Sequence, residues 1–461
     1  MKRTLGDAAR ISGGQLSGED RPYGAVSTDS RTLNPGALFV ALRGPNFDGA
    51  AFVASAAARG AIGALVERAV SGSLPQVVVP DTLRALQELA KTWRADFTLP
   101  VVAVAGSNGK TTAKEMTAAI LSRKGLCMAT HGNLNNHIGV PVTLMRLEPA
   151  HHSAVIEMGA NRIGDVAALM RLARPTVGLI TNAGAEHLEG FGNLDGVAEG
   201  EGEAVSHLAP EGTAVINADD AYAGYWRSVA GAQRIVTFGV HAGADFTAKN
   251  VIQAIERGEF ATRFTLICPL GERPIMLKAG GAHNIGNALA AAAAASAAGA
   301  SLEDIGLGLA DFRAVSGRLQ LKPGARDSWI IDDSYNANPS SVRAGLEVLR
   351  SLSGVTWLVL GDMAELGESA QDSHSHMGTY ARDCGIKRLF ALGPLSSRAV
   401  ETFGSGGEWF VDADSLIRRL QAELAPGVTV LIKGSRINRL ERVVQALTGG
   451  GAGSGPMMRA S

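Results

Sequence analysis

Residues 101–112 join a short apolar strand to glycines, a lysine and a threonine, in the order Val-Val-Ala-Val-Ala-Gly-Ser-Asn-Gly-Lys-Thr-Thr. Gly106 and Gly109 allow a tight turn that aims backbone N–H groups at phosphate oxygens. The helix expected from about Thr111 adds the partial positive charge of its N-terminus. Lys110 can reach the β- and γ-phosphates, and the Thr111 hydroxyl can ligate Mg²⁺. The segment therefore predicts a site for a nucleoside triphosphate.

The spacing of this loop is unusual, because only Ser107 and Asn108 separate glycines that four residues usually separate. A plain glycine turn between a strand and a helix is the alternative interpretation. The Gly-Lys-Thr sequence between strand and helix favours phosphate binding. The expected nucleotide contacts of the loop are Gly106, Ser107, Asn108, Gly109, Lys110, Thr111 and Thr112.

Two further polar groups follow apolar strands in the middle of the chain. Glu157 closes Ala-Val-Ile-Glu, and an acid in this place after a phosphate loop typically holds Mg²⁺ directly or through water. The alternative is an ordinary acid at a strand end. His187 follows the strand expected at Val177–Thr181 and lies beside Asn182 and two acids. Its imidazole can ligate a metal or stabilise a phosphate in transit, although a lone histidine is more often structural.

The last third of the chain contains three more strands that run into polar groups. These groups are Asp333, Tyr335, Asn336 and Asn338 after the first strand, Asp362 and Glu365 after the second, and Lys433 and Arg436 after the third. Asn338 and Ser340 have a simpler interpretation as caps of the helix that begins near Pro339. Acids and cations at neighbouring strand ends suit a substrate that bears both an amine and a carboxylate.

Composition narrows the class of protein. The chain has 461 residues, of which 46% are hydrophobic, and a net charge of −1. That charge gives no electrostatic reason to expect nucleic acid or an anionic membrane as partner. The three cysteines are far apart, which argues against a disulfide framework or a zinc site and predicts reduced thiols in a cytoplasmic protein. The N-terminus lacks an apolar signal stretch, and the alanine-rich segment 288–298 is too short to span a bilayer.

The elements that must position these groups follow an α/β pattern. Apolar runs that do not alternate, separated by helical patterns, favour parallel sheets covered on both faces. They form three clusters along the chain, so we expect three α/β domains at residues 1–82, 83–314 and 315–448, with an antiparallel appendage near 245–277. The glycine-rich tail, 449–461, is expected to be disordered.

Several segments together resemble the Mur ligases, the ATP-dependent amide-forming enzymes of peptidoglycan precursor synthesis. The segments are the shortened phosphate loop, Gly132–Pro141, Glu157–Asn161, Asn182–Phe191, Asp333–Pro339 and Gly361–Gly367. The resemblance covers the chain to about Leu447 and implies that the short loop is characteristic of the family. It further implies an enzyme that joins D-alanyl-D-alanine to UDP-N-acetylmuramoyl-tripeptide through an acyl phosphate, with a monomeric chain, ATP and two Mg²⁺ ions.

The resemblance also implies a role for each domain. The N-terminal domain would bind the UDP end of the substrate, the central parallel-sheet domain ATP, and the Rossmann-like C-terminal domain the dipeptide. The implied catalytic groups are Lys110, Glu157, His187 and Arg318, with Asn284, Arg318 and Asp333 on the nucleotide. The implied substrate contacts are Ser27, Ser30, Arg31, Asn46, Asp48, Asn135, Asn136, Tyr335, Asn336, Asp362 and Glu365, with His374 near the dipeptide in a role left open.

One departure from the family concerns the helix after His187. Many Mur ligases have there a carbamylated lysine that helps to hold the second Mg²⁺, whereas this chain has Val-Ala-Glu-Gly-Glu-Gly-Glu at 197–203. We therefore expect Glu201 to replace the carbamate, and Thr111, Glu157, His187 and Glu201 to be the metal ligands. The alternative is that these acids form a solvated helix face.

Two other functions compete with this interpretation. The first is a ligase of the same group that adds a single amino acid, or glutamate to folate, and the segments Asp333–Pro339 and Gly361–Gly367 argue against it. The second is a phosphate-loop switch or motor, which would hydrolyse ATP without an acceptor. Such a protein would have no need of the polar loops in the last third of the chain. The third residue of the tripeptide, diaminopimelate or lysine, is left open by the sequence.

Overall fold

A computed structural model describes residues 3–44, 47–231, 233–241 and 243–448. The expected substrate contact Asn46 and the expected tail at 449–461 lie outside these described residues.

The N-terminal region is built on a five-stranded sheet. Its elements are β1 (Arg3–Thr4), α1 (Leu5–Ser12), β2 (Gln15–Ser17), β3 (Pro22–Tyr23), β4 (Ala25–Ser27), β5 (Ala37–Val40), β6 (Arg43–Gly44), β7 (Phe47–Asp48), α2 (Val53–Ala58), β8 (Gly63–Val66), β9 (Gln76–Val78) and α3 (Thr82–Arg94). The sheet has the order β2-β9-β8-β5-β4, and β2 alone runs antiparallel to its neighbour. The Asp81 carboxylate caps α3 by accepting a hydrogen bond from the Arg84 N–H.

The central region carries a six-stranded sheet and a three-stranded appendage. Its elements are β10 (Val101–Ala105), α4 (Lys110–Leu121), β11 (Cys127–Ala129), α5 (Gly139–Leu144), β12 (Ser153–Glu157), α6 (Asp165–Ala173), β13 (Val177–Ile180), α7 (Leu188–Phe191), α8 (Leu194–Ser206), β14 (Thr213–Asn217), α9 (Ala223–Val229), β15 (Arg234–Phe238), β16 (Thr247–Glu256), β17 (Glu259–Cys268), β18 (Gly271–Leu277), α10 (Ala282–Ala297) and α11 (Leu302–Asp311). The main sheet, β11-β12-β10-β13-β14-β15, is parallel throughout, whereas β16-β17-β18 is antiparallel.

The C-terminal region has a second six-stranded sheet. Its elements are β19 (Gln320–Pro323), β20 (Trp329–Asp333), α12 (Pro339–Arg350), β21 (Val355–Gly361), α13 (Ala370–Asp383), β22 (Arg388–Leu392), α14 (Ser397–Phe403), β23 (Gly407–Phe410), α15 (Ala413–Glu423), β24 (Val428–Lys433) and α16 (Glu441–Thr448). The order is β19-β20-β24-β21-β22-β23, with β19 antiparallel at one edge. Short 3₁₀ turns lie at Gly49–Phe52, Ala325–Asp327, Gly367–Ser369 and Arg436–Asn438.

Each main sheet is buried on both faces, which explains why its strands are apolar without alternation. Along β10, Val102 and Val104 enter a core with α4 and α10, whereas Val101, Ala103 and Ala105 enter the core on the opposite face. The expected α/β class with parallel sheets is confirmed, and the antiparallel appendage is present. The proposed domain limits at 82/83 and 314/315 stay a prediction.

This architecture places the chemistry at strand ends. β10 lies between β12 and β13, and the phosphate loop follows β10 where connections leave towards both sides of the sheet. Ligands bind α/β sheets at such a switch point, outside the carboxyl ends of the strands. Glu157 lies at the same end of β12, and Asp333 and Lys433 lie at the corresponding ends of β20 and β24.

Candidate active site

The phosphate loop has the backbone that the sequence predicts. Gly106 has φ +116° and Gly109 has φ +81°, both in the left-handed region that favours glycine. Side chains would not fit at either position, because a Cβ would lie 2.2 Å from Thr181 Oγ1 at Gly106 and 2.2 Å from Asn287 Oδ1 at Gly109. Gly109 is also the N-cap of α4, and a glycine offers no side chain to cap that helix. The first N–H groups of α4 therefore remain available to an anion.

Lys110 is folded back onto its own loop. Its Nζ donates to the backbone oxygens of Gly106 and Ser107 and pairs with Glu186 Oε1 at 3.2 Å. Burial alone would lower the pKa of Lys110, but the carboxylates of Glu186, Glu201 and Glu157 raise it above its ordinary value. Lys110 therefore keeps its positive charge beside the loop that is expected to bind phosphate.

Glu201 lies under the loop and is fully buried on α8. Its Oε2 accepts a hydrogen bond from the Gly106 N–H at 2.6 Å, while Oε1 is buried with no hydrogen-bond partner among the described residues. Burial raises the pKa of Glu201 to about 7, against the opposing effect of Lys110. Glu203 is also buried, and its carboxylate accepts from the N–H groups of Gly164 and Ala167. For these two acids the alternative of a solvated helix face is therefore wrong.

Glu157 faces the cleft from the end of β12. Its Oε1 accepts from Asn135 Nδ2 at 2.9 Å, and its backbone N–H donates to Thr130 Oγ1 at 3.0 Å. Its Oε2 is buried and has no hydrogen-bond partner among the described residues, although Lys114 Nζ lies 4.0 Å away. A buried carboxylate oxygen without a partner is costly, and a bound cation would remove that cost.

His187 connects the central region to the C-terminal region. Its Nδ1 lies 2.6 Å from Glu365 Oε2, and both residues have left-handed backbone, with φ +49° and +63°. Non-glycine residues adopt such φ values rarely, and they cluster at functional sites. The expected metal ligand and the expected dipeptide contact therefore meet across the cleft.

Asp333 and Lys433 form a buried ion pair at the ends of β20 and β24. Lys433 Nζ lies 2.6 Å from Asp333 Oδ2 and also donates to the Asn336 carbonyl oxygen at 3.0 Å. Asp333 Oδ1 accepts from the Leu319 N–H at 3.2 Å. Burial lowers the pKa of Lys433 more than Asp333 raises it. The pair therefore holds the backbone of Leu319, next to Arg318, and of Asn336, next to Tyr335.

Arg318 reaches from the C-terminal region towards the phosphate loop. Its guanidinium stacks 4.3 Å from the centre of the Tyr335 ring, and NH2 lies 3.5 Å from Thr111 Oγ1. Stacking on an aromatic ring holds a guanidinium while its N–H groups remain available for an anion. The structure therefore aims a second cation at the start of α4.

Two cavities share five lining residues, which are Asn108, Gly109, Arg318, Ser341 and Lys433. The first, of about 330 Å³, is lined by groups from both regions that include Lys110, Thr111, Asn135, Asn136, Glu157, His187, Tyr335, Asn336 and Lys433. The second, of about 530 Å³, includes Thr112, Asn284 and Asp333. The cleft thus brings together a phosphate loop, an acid and cations from distant parts of the chain.

Comparison with known proteins assigns this cleft to a family. The family model for the Mur ligase middle domain matches residues 104–295, that for the Mur ligase, glutamate ligase domain matches 317–436, and that for the Mur ligase family, catalytic domain matches 22–94. A relative from Escherichia coli strain K12, UDP-N-acetylmuramoyl-tripeptide--D-alanyl-D-alanine ligase, is 46% identical over 96% of this chain and 98% of its own length. The chain belongs to the Mur ligase family.

Solved structures of Mur ligases agree with this placement. A crystal structure of MurF from Acinetobacter baumannii is similar with a TM-score of 0.90 and 34% identity, over 97% of this chain and 99% of that chain. A crystal structure of MurF ligase from Thermotoga maritima in complex with ADP has a TM-score of 0.81 and 26% identity, over 92% of this chain and 97% of that chain. The likeness extends through all three regions of the chain.

The expected contacts for the UDP end lie apart from the cleft. Ser27 bonds to the backbone of Asp29, Arg31 pairs with Asp29 at 2.8 Å, and Asp48 pairs with Arg68 at 2.7 Å. Ser30 is buried, and none of these described residues lines either cavity. The structure places them in the N-terminal region, and their role in binding stays a prediction.

Asp362 is used by the local structure. It is 6% exposed, and its Oδ1 accepts from both the N–H and the Oγ–H of Ser396, at 2.7 and 2.6 Å. A carboxylate used in this way supports the loop before α14, and Asp362 lines neither of the two cavities, so its expected contact with substrate stays a prediction. His374 is likewise buried, and it supports the same segment because its Nε2 accepts a hydrogen bond from the Met363 N–H at 2.9 Å.

Two pairings in the cleft are not predicted by the sequence. The sequence marks Glu186 only as an acid beside His187, and its pairing with Lys110 spans 76 positions. The sequence marks Lys433 as a cation at a strand end but gives no sign of its buried partner Asp333. Asn338 does cap α12, as expected, by accepting from the Ser341 N–H.

Proposed function

We propose that this chain is the ATP-dependent, ADP-forming ligase that joins D-alanyl-D-alanine to UDP-N-acetylmuramoyl-tripeptide. The observation that carries the proposal is the 46% identity to the E. coli ligase of that name, which extends over 96% of this chain. The cleft supports it, because the phosphate loop, Glu157 and the C-terminal cations line one cavity. The product would be the UDP-muramoyl-pentapeptide precursor of peptidoglycan.

We propose that the reaction passes through an acyl phosphate. An oxygen of the tripeptide carboxylate attacks the γ-phosphorus of ATP, and the bond from that phosphorus to the β–γ bridging oxygen breaks to release ADP. The dipeptide amine then attacks the acyl carbon, phosphate leaves, and the amine loses a proton as the amide forms. Two anions must approach each other in the first step, and we propose that Lys110 and Arg318, which line the same cavity, stabilise the charge that develops.

The donor set of the cleft fits Mg²⁺. The unpartnered oxygen of Glu157 is a hard anionic ligand, and the Thr111 hydroxyl lines the same cavity. Among the described residues, no three His, Cys, Asp or Glu side chains converge as a ready metal cage. Such a cage is not needed, since Mg²⁺ in nucleotide sites takes one or two carboxylates together with phosphates. When bound, Mg²⁺ would screen the phosphate charge.

We propose two Mg²⁺ ions, with Thr111, Glu157, His187 and Glu201 as their protein ligands. The support for Glu201 is its unpartnered Oε1, since its other oxygen already holds Gly106. His187 lines the first cavity together with Thr111 and Glu157, which supports its inclusion, whereas Glu201 is buried beneath the loop and lines neither cavity. Titration of activity with Mg²⁺ in the wild type and in Glu157→Gln tests the set, and an unchanged Mg²⁺ requirement in the variant would contradict it.

A coupled assay of ADP release tests the function. We expect ADP only when ATP, UDP-muramoyl-tripeptide and D-alanyl-D-alanine are all present, with the pentapeptide detected by mass spectrometry. Replacing the dipeptide by D-alanine, D-glutamate or diaminopimelate separates this ligase from those that add a single amino acid. ADP release without any acceptor would indicate a switch or motor, and a preference for a single amino acid would indicate another ligase.

We also propose a monomer that works in the cytoplasm. The resemblance to the Mur ligases supports the first statement, and the proposed use of ATP supports the second. No helix in the described part of the chain has the length and apolarity needed to cross a membrane. Light scattering after gel filtration and cell fractionation test the two statements, and a stable dimer or recovery in the membrane fraction would contradict them.

A further inference from the structure

The side chain of Asn108 joins the phosphate loop to the C-terminal region. Its Nδ2 donates to Ser340 Oγ at 3.0 Å, and its Oδ1 accepts from Asn338 Nδ2 at 2.9 Å. These two hydrogen bonds cross between residues more than 200 positions apart in the chain. We call this group of three side chains the amide clamp.

The backbone of Asn108 is fixed separately, by the central region. Its N–H donates to Asn182 Oδ1 at 3.0 Å, and its carbonyl oxygen accepts from Thr181 Oγ1 at 2.7 Å and from Asn182 Nδ2 at 2.9 Å. The side chain therefore starts from a rigid support. Both the Nδ2 and the Oδ1 of its side chain bond to the C-terminal region. A loop residue that only bound phosphate would not need these two bonds.

The other half of the clamp is also rigid. Asn338 is buried and caps α12 through Oδ1, which accepts from the Ser341 N–H at 2.8 Å and from Ser340 Oγ at 3.0 Å. Its amide nitrogen is left free for Asn108. One asparagine thus anchors the start of α12 and attaches that start to the phosphate loop.

Space for the clamp is made by Gly184. A Cβ on that residue would lie 3.0 Å from Asn108 Nδ2 and 3.2 Å from Ser340 Oγ. Asn338 lines the first cavity, Ser340 the second, and Asn108 lines both. The clamp therefore lies where the second cavity meets the first, which contains both the phosphate loop and Tyr335 and Asn336 of the loop before α12.

We propose that Asn108, Asn338 and Ser340 are positioning residues that set the dipeptide-binding loop against the phosphate loop. The inference rests on the proposed function, in that the dipeptide is taken to bind beside Tyr335 and Asn336. Amide formation needs the amine within reach of the activated carbonyl, and a displacement of about 1 Å between two bound reactants can reduce rate by about 10²-fold. The clamp fixes that distance without touching the reacting atoms.

Steady-state kinetics of three variants test the proposal. Asn108→Ala removes both bonds, and Asn338→Ser retains a good N-cap but loses the amide donor. Each should lower kcat/KM for D-alanyl-D-alanine about tenfold, the size expected for one or two lost hydrogen bonds. The double variant should be no worse than the more impaired single variant, because all three remove the same contact. The proposal would be overturned if the losses of the two single variants multiplied in the double variant, or if Asn338→Ser kept the wild-type kcat/KM.

Ser351→Ala is the matched control. Ser351 is the C-cap of the same helix α12, its Oγ donates to the Val348 carbonyl oxygen at 2.7 Å, and it lines neither cavity. Its loss weakens the far end of the helix, while KM for the dipeptide should stay within about twofold of wild type. A tenfold rise of that KM in the control would mean that the stability of α12, and not the clamp, governs the site.

Hydrogen exchange gives a readout that does not depend on activity. In Asn108→Ala, peptides covering residues 333–341 should exchange several-fold faster than in wild type, although the substitution lies in another region. Unchanged exchange there would overturn the clamp. If the wild type itself released no ADP in response to the dipeptide, the proposed function would fail, while the exchange experiment would still decide whether the clamp exists.

Discussion

The phosphate loop and the segment Gly361–Gly367 both lie at the end of a buried parallel strand, and both carry charged side chains. In the loop, Lys110 and Thr111 line the cleft. In the other segment, Asp362 turns back to hold Ser396, and the Met363 N–H is held by His374. Glu365 extends across the cleft to His187. A polar residue after a strand can therefore serve the ligand or the local backbone, and only the fold decides which.

The strongest test of this contrast is Lys110→Met. The lysine is the cation nearest to the expected phosphates, so we expect kcat to fall about 10²–10³-fold, as when one preorganised donor is removed from a transition state. The chain should stay folded by circular dichroism. Lys124→Met, an exposed lysine soon after the same helix, should retain full activity. If Lys110→Met retained more than a tenth of the wild-type kcat, the role of Lys110 would be to support the local backbone and not to bind the nucleotide.

Asp362→Ala tests the opposite side. Removing the carboxylate leaves the buried N–H and hydroxyl of Ser396 without their acceptor, which should cost about 2–4 kcal/mol of unfolding free energy. Urea denaturation measures this loss.

Glu365→Gln is the matched variant for Asp362→Ala. Glu365 is exposed, so its unfolding free energy should change by less than about 0.5 kcal/mol, while KM for the dipeptide rises several-fold. If Asp362→Ala kept full stability and lost dipeptide binding, the roles assigned to these two acids would be reversed.

Glu201 combines both kinds of role, since one oxygen holds the loop and the other has no partner. Glu201→Gln can keep the bond to the Gly106 N–H but loses the anionic oxygen. We expect it to raise the Mg²⁺ concentration for half-maximal activity about tenfold, whereas Glu201→Ala also loses turnover because the loop is released. Added bicarbonate should have no effect on the wild type. Stimulation by bicarbonate, or wild-type rates in Glu201→Ala, would contradict this account.

The sequence predicts local features of this molecule well. The strand expected at 177–181 is β13, which ends one residue earlier, and the glycines of the phosphate loop adopt the left-handed backbone that their turn requires. These features depend on neighbours within a few residues, so their physical causes are visible in the chain.

Long-range pairing is where sequence reasoning failed. Asp333 pairs with Lys433, which is 100 positions away in the sequence, and Asp362 bonds to Ser396, which is 34 positions away. Which side chain meets which depends on the order of strands β20, β24, β21 and β22 and on the loops that follow them. Residue type alone shows that such an acid can bind a ligand or accept a structural hydrogen bond. Its surroundings in the fold then determine which of the two it does.

The smallest expected effect concerns His374. Burial lowers its pKa below the ordinary 6.5, and its neutral form accepts the Met363 N–H through Nε2 while Nδ1–H donates to the Ala370 carbonyl oxygen. The unfolded chain takes up the proton more readily than the folded chain. The stability that His374 contributes is therefore present above pH 6.5 and is lost as pH falls through the lower folded pKa.

Urea unfolding at pH 7.5 and pH 5.5 measures this contribution. His374→Gln should cost about 1 kcal/mol at pH 7.5, and the difference from wild type should shrink at pH 5.5. His376→Gln, an exposed histidine on the same helix, should be neutral at both values. Because His374 holds the backbone next to Glu365, its loss should also raise KM for the dipeptide slightly at pH 7.5. A constant difference between the two pH values would mean that packing, and not the neutral ring nitrogen, supports this segment.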